Sequence, residues 1–199
     1  MLQQFRAMVL IAIAAGSLGC DRAARPADVG AARVVDSIVP REVALRRFQQ
    51  GLTPLARLES PYVSPDSLLA AFVRALSARD TAALARMTVS PAEFAYLYYP
   101  TTPQSLPPYD LEPGLMWHLL QLRSERGIRR ALDLYGGRKL RLVSYDCGRR
   151  SSPEGENTVV GPCAVRFRDR SGQQLTVQLL SQIIERRGRY KVLSYANKL

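Results

Sequence analysis

The chain has 199 residues, 47% of them hydrophobic, and a formal net charge of +11 from 28 basic and 17 acidic side chains. That apolar content excludes bulk disorder, and the length suits one domain plus a tether. A single histidine and three cysteines, without CxxC or HxxxH spacing, leave no metal ligand set to read.

Arg6 gives a short positive start with no acidic residue near it, and Ala7 to Leu18 follow as AMVLIAIAAGSL. A membrane-spanning helix needs roughly 20 apolar residues, so this stretch has the length of a signal sequence. Gly16-Ser17-Leu18-Gly19 then leads into Cys20. The string resembles the lipobox of bacterial lipoproteins, whose cysteine receives a diacylglycerol thioether before cleavage in front of it. Gly19 fits that pattern; Ser17 departs from it, because the family places Leu three residues before the cysteine. The resemblance implies loss of residues 1–19 and contact with membrane lipid through acylated Cys20, in the cell envelope on the periplasmic or outer side of a membrane. Ordinary secretion with cleavage near Gly19 and a retained anchor are the alternatives.

Residues 21–32 are small, polar and Pro/Gly-containing, the composition of a flexible tether. In PREVALRRFQQ at 40–50, Pro40 suits a first helical turn, Gly51 a stop, and Val43, Leu45 and Phe48 a docking face. The expected organisation is a leader at 1–19, a lipidated tether with a short helix at 20–60, and a folded domain at 61–199.

Ser64-Pro65 opens the domain as N-cap and first turn, and Leu68, Leu69, Phe72, Val73 and Leu76 then recur at helical spacing. Asp80 caps a second helix that buries Ala83, Leu84 and Met87. Ser90-Pro91-Ala92-Glu93 is a capping box, followed by a short helix with Phe94, Tyr96, Leu97 and Tyr98. Four prolines between 100 and 108 make a loop. A long helix runs from about Glu112 to Tyr135 with Leu115, Leu119, Leu122, Ile128 and Leu132 as its apolar side, Gly127 as a potential break and Gly136-Gly137 as its end.

Beyond 138 the period becomes alternating, and four strands are expected, at about 139–147, 158–169, 174–185 and 189–196. A turn at Arg187-Gly188 sets Ile183 against Val192 and Leu180 against Tyr195. Outside the cytosol, Cys147 and Cys163 read first as a disulfide. Facing them across a hairpin sets Tyr145 opposite Val165, Val143 opposite Phe167 and Arg141 opposite Asp169, with SPEGEN at the centre of the connection. Closing such a loop stabilises by ~3 kcal/mol on the chain-entropy account.

Helices first and an antiparallel meander after them make an α+β domain, with N-terminal helices packed on one face of a curved antiparallel β-sheet. LLAAFVRALSARDTAALARM at 68–87 and GRYKVLSYAN at 188–197 resemble the opening helix pair and closing strand of the NTF2-like (ketosteroid-isomerase or SnoaL-like) superfamily, over roughly 65–197. The chain departs from that pattern between 94 and 137. The resemblance implies a cone-shaped sheet, and it carries no catalytic residue across.

Tyr96, Tyr98, Tyr99 and Tyr109, with Trp117 and His118, form the candidate ligand pocket, because aromatic faces and phenol donors suit a small ligand; core and loop packing is the plainer reading. His118 has no visible proton-transfer partner and reads as a partly buried structural residue. Asp80 reads as a helix cap and Asp146 as a solvent- or mouth-facing position. Arg123, Arg126, Arg129 and Arg130 wrap a helix as a solvated surface. The positive charge is almost all arginine, with Lys139, Lys191 and Lys198 the lysines. Compositional bias toward arginine explains this, as does attraction to an anionic envelope surface.

The expected function is a non-catalytic binding or assembly domain held at the envelope, taking another envelope protein or a small apolar ligand, with no cofactor and no nucleic acid. An isomerase- or hydratase-type enzyme is one alternative and an arginine-driven binder of anionic surfaces another. An enzyme would turn a carboxylate or histidine into an enclosed pocket. A binding module would show a pocket without ionisable groups, or an exposed apolar patch.

Overall fold

The computed structural model describes residues 39–148 and 151–197, so the expected leader, Cys20 and the tether at 21–32 lie outside the described residues. Helix α1 (Arg41–Gln49) starts after Pro40, and Gly51 beyond its end takes a φ of 78°, which suits a residue without a Cβ. α2 (Pro65–Ala78) is capped by Ser64, whose hydroxyl accepts from the Ser67 amide at 3.2 Å. α3 (Thr81–Met87) is capped by Asp80, which accepts from the Ala83 amide at 2.8 Å. α4 (Pro91–Glu93) is one turn opened by the Ser90–Glu93 box, and it runs on into a π-helical turn at Phe94–Tyr98. α5 (Pro113–Tyr135) begins at Glu112, whose carboxylate accepts from the Leu115 amide at 2.7 Å. The starts of α2, α3, α4 and α5 each satisfy a free backbone donor with the residue type the sequence offers there, whereas α1 begins after Pro40 with no side-chain cap.

Two expectations for α5 are corrected. Gly127 does not break the helix. A Cβ at Gly127 would stand 2.5 Å from the Ala196 carbonyl oxygen, so glycine lets α5 approach the end of the last strand. The deeply buried side is also not a leucine stripe. It is Met116, Ser124, Gly127 and Ala131, while Leu115 is 48% exposed. Small residues line the contact because the backbones come close.

Six strands follow, not four: β1 (Arg141–Asp146), β2 (Ser151–Glu154), β3 (Asn157–Val160), β4 (Cys163–Arg168), β5 (Gln174–Arg186) and β6 (Arg189–Tyr195). All strand pairs are antiparallel and the sheet is open. β5 carries β4 and then β3 along one edge and β6 along the other. The single strand expected at 158–169 is divided at Gly161-Pro162. A Cβ on Gly161 would collide with the Ser181 carbonyl oxygen, so the chain turns there against β5. SPEGEN is itself structured, as the tip of a β2–β3 hairpin. Pro153 is tolerated because β2 is the outer strand of the pair.

Ile183 faces Val192, Leu180 faces Tyr195 and Tyr145 faces Val165, as the sequence implies. Cys147 and Cys163 stand at disulfide-bonding distance. Beyond Tyr145 the expected register fails. A bulge at Val143 shifts the ladder, so Phe167 faces Leu142 and Arg141 faces Arg168 instead of Asp169.

Helices do not keep to one face of the sheet. Neighbouring residues of a strand point to opposite faces. Ile183 and Val192 join a core with α2, while the adjacent Ile184 and Leu193 join a second core with Phe94, Tyr98 and Tyr99. α5 serves both: Ile128 and Ala131 pack in the first, Met116 and Trp117 in the second. It crosses the outer edge of β6, where Ser124 Oγ accepts from the Tyr195 amide at 3.2 Å. Thr88-Val89 and Tyr62 satisfy more of that edge, which leaves less backbone open to a foreign strand.

Candidate functional site

The covered half of the second face ends at a cleft between the first half of α5, the middle of β5 and the end of β6, with a volume of about 500 Å³. Its size falls within the ~300–1,000 Å³ range of small-molecule sites. One wall is apolar, with Leu119 and Leu120 of α5 and Leu111 before it. The opposite wall is polar, with Gln178, Ser181, Gln182 and Ser194.

Bulges make that polar wall. The β5–β6 ladder shifts on either side of Gln182, which faces Ser194. A bulge re-aims side chains, and here it interrupts the apolar run Leu179-Leu180-Ser181-Gln182-Ile183-Ile184. The side chains of Gln178, Ser181, Gln182 and Ser194 have no hydrogen-bond partner among the described residues, so they are free to serve a ligand or water. Tyr98 and Gln104 close one end and Arg123 lies at the rim, and among the described residues no carboxylate or imidazole lines the cleft.

Behind Tyr98 lies a small buried polar group. Burial pushes the Tyr98 phenol up to about 12, with the nearby Glu154 charge adding to the rise. Burial likewise raises the Glu154 carboxyl above its ordinary value, opposed by Thr102. Glu154 Oε2 has no hydrogen-bond partner among the described residues. Asn157 pins the adjoining hairpin, donating to the Leu97 carbonyl at 2.7 Å.

A second cavity, of about 700 Å³, lies between α3, Ser90-Pro91 and α5, with Trp117 and Lys191 in its wall. Lys191 is already engaged. Its Nζ stands 2.7 Å from Glu93 Oε2, and both residues are buried.

The expected aromatic pocket is not one pocket. Tyr98 lines the cleft and Trp117 lines the other cavity. Tyr99 is buried, donates to the Leu111 carbonyl at 2.7 Å and lies under the Arg41 guanidinium. Tyr96 reaches the Leu52 carbonyl at 3.4 Å. Tyr109 is 65% exposed, and His118 is exposed where a partly buried position was expected. Phe94 is the hub that gathers Trp117, Tyr98 and Tyr99, with ring centroids 5.1–6.1 Å away. Asp146 is exposed and accepts from the Gly148 amide at 2.8 Å, and Arg123, Arg126, Arg129 and Arg130 are exposed on α5.

The cleft residues of β5 and β6 escaped the sequence reading. Their trace was the Ser181-Gln182 break in an apolar run. The local sequence marks Glu93 only as a helix cap, because Lys191 lies far along the chain. No helix among the described residues is long and apolar enough to cross a membrane. Comparison with known protein families, curated proteins and solved structures found no match.

Proposed function

We propose that this chain is an exported lipoprotein, held in the envelope by acylated Cys20, whose folded domain is a non-catalytic binding module. The α5–sheet cleft is its ligand site. The observation that carries this reading is the cleft lining: amides, hydroxyls and an apolar helix wall, with no carboxylate or imidazole among the described residues to move a proton. Such a lining suits a small uncharged molecule that is apolar on one face and hydrogen-bonding on the other. The apolar leader ahead of Cys20 and the Cys147–Cys163 pair support the envelope address.

The NTF2-like resemblance enters the same proposal as a common ancestry of the helix pair and closing strands. On this reading the chain is a divergent member in which α5 replaces an open cone mouth with a narrow cleft.

The test is thermal unfolding of the purified protein against neutral disaccharides, medium-chain fatty alcohols and monoacylglycerols. A ligand present at 100 times its Kd adds ~2.7 kcal/mol, which is readily seen as a rise in Tm. We expect one class to raise Tm, and Gln182→Leu with Ser194→Val to remove the rise. Conversion of the ligand to a product, or a rise unaffected by those substitutions, would defeat the proposal.

A further inference from the structure

The other half of the second sheet face, over β1, β4 and the start of β5, is exposed. Along β4, Cys163, Val165 and Phe167 are buried in the first core, while Arg166 and Arg168 are exposed on the opposite side. The register places Arg141 of β1 directly opposite Arg168. Arg166 lies one step along, its Nε donating to the Thr176 hydroxyl at 3.2 Å. Like charges directly across a strand pair destabilise the sheet. None of the three guanidinium groups forms an ion pair among the described residues.

The two acids nearest them in sequence keep their charge but turn to other donors instead of forming ion pairs with these arginines. Asp169 holds its own turn, accepting from the Ser171 hydroxyl and the Ser171 and Gln173 amides. Asp146 faces Ala164 and is tied to the Gly148 amide. Val143, extruded by the bulge beside Arg141, is 44% exposed. The face therefore holds a cluster of cations beside an exposed valine, none of them in an ion pair among the described residues.

We propose that this face docks the domain onto an anionic lipid bilayer surface. The guanidinium groups spread over neighbouring strands, in two dimensions. That arrangement matches a plane of headgroup phosphates better than it matches a ligand held in a groove, and the apolar Val143 side chain suits the boundary beneath them. The proposal is independent of the cleft and of acylation at Cys20.

Both cores draw on residues between Leu45 and Tyr195, so a chain beginning at Val39 folds without the leader and removes any acyl chain from the readout. Co-sedimentation of that chain should show binding to phosphatidylcholine vesicles that contain phosphatidylglycerol and none to phosphatidylcholine alone. R141Q/R166Q/R168Q should weaken binding by about 100-fold, and R168Q alone by roughly 5-fold. The triple substitution relieves a repulsion, so it should not lower Tm. Replacing the exposed Arg126, Arg129 and Arg130 by Gln removes the same charge from α5 and should leave most of the affinity. Equal loss from both triple variants overturns the assignment to this face. Binding to neutral vesicles overturns it too, as does failure to bind the anionic vesicles, whether or not the chain binds soluble dextran sulfate.

Discussion

Glu93 and Lys191 are separated by 98 positions in sequence and by 2.7 Å in the fold. Glu93 also accepts from the Ser90 amide and from the Glu59 amide, each at 2.7 Å. One buried carboxylate thus ties the start of α4, the segment before α2 and strand β6 together. Removing one partner of a buried pair strands the other charge. Lys191→Met should therefore cost about 3–5 kcal/mol in urea unfolding. Adding Glu93→Gln should recover part of the loss, because the pair is one unit. Additive losses would show that the two residues act separately.

Gly127 offers a reversal of the usual helix rule. In a solvated helix Gly→Ala stabilises by up to about 1 kcal/mol. Here the new methyl would meet the Ala196 carbonyl oxygen. Gly127→Ala should instead destabilise by about 1–3 kcal/mol, the cost of overpacking. A rise in Tm would mean that α5 does not press on the end of β6.

The Glu154 carboxyl predicts a pH dependence with a definite sign. Burial raises its folded-state pKa above the ordinary value of 4.5, so folding favours the protonated form. Its contribution to stability is fully present below the unfolded value and is lost as pH rises through the folded one. Glu154→Gln keeps the shape without the charge and should stabilise at neutral pH by about 1 kcal/mol, with a smaller gain in acid. Equal gains at both pH values would contradict the burial account.

Lipidation is tested at Cys20. Cells fed labelled palmitate should label the native chain, and Cys20→Ser should abolish the label. Persistent labelling of the variant would place the lipid elsewhere or remove the lipoprotein reading.

Much of the architecture was legible in the sequence because it rests on local chemistry. Ser64, Asp80 and Ser90 announce their helices within three residues, since a cap is a contact between near neighbours. The Arg187-Gly188 turn does the same for β5 and β6: both residues take positive φ, and the apolar pairs follow in register. The two cysteines located β1 against β4.

What the sequence could not decide was set by approach between distant segments. Alternation along β5 states that the strand has two faces, but not that α5 would cross an edge and cover both. The break at Gly161 depends on a carbonyl of β5, the role of Lys191 on a carboxylate in α4, and the polar cleft on two bulges that no short-range pattern encodes. The Arg141–Asp169 pairing failed for the same reason: one extruded residue, Val143, shifts every partner beyond it. Strand periodicity constrains which side chains share a face, and only the assembled fold chooses what that face meets.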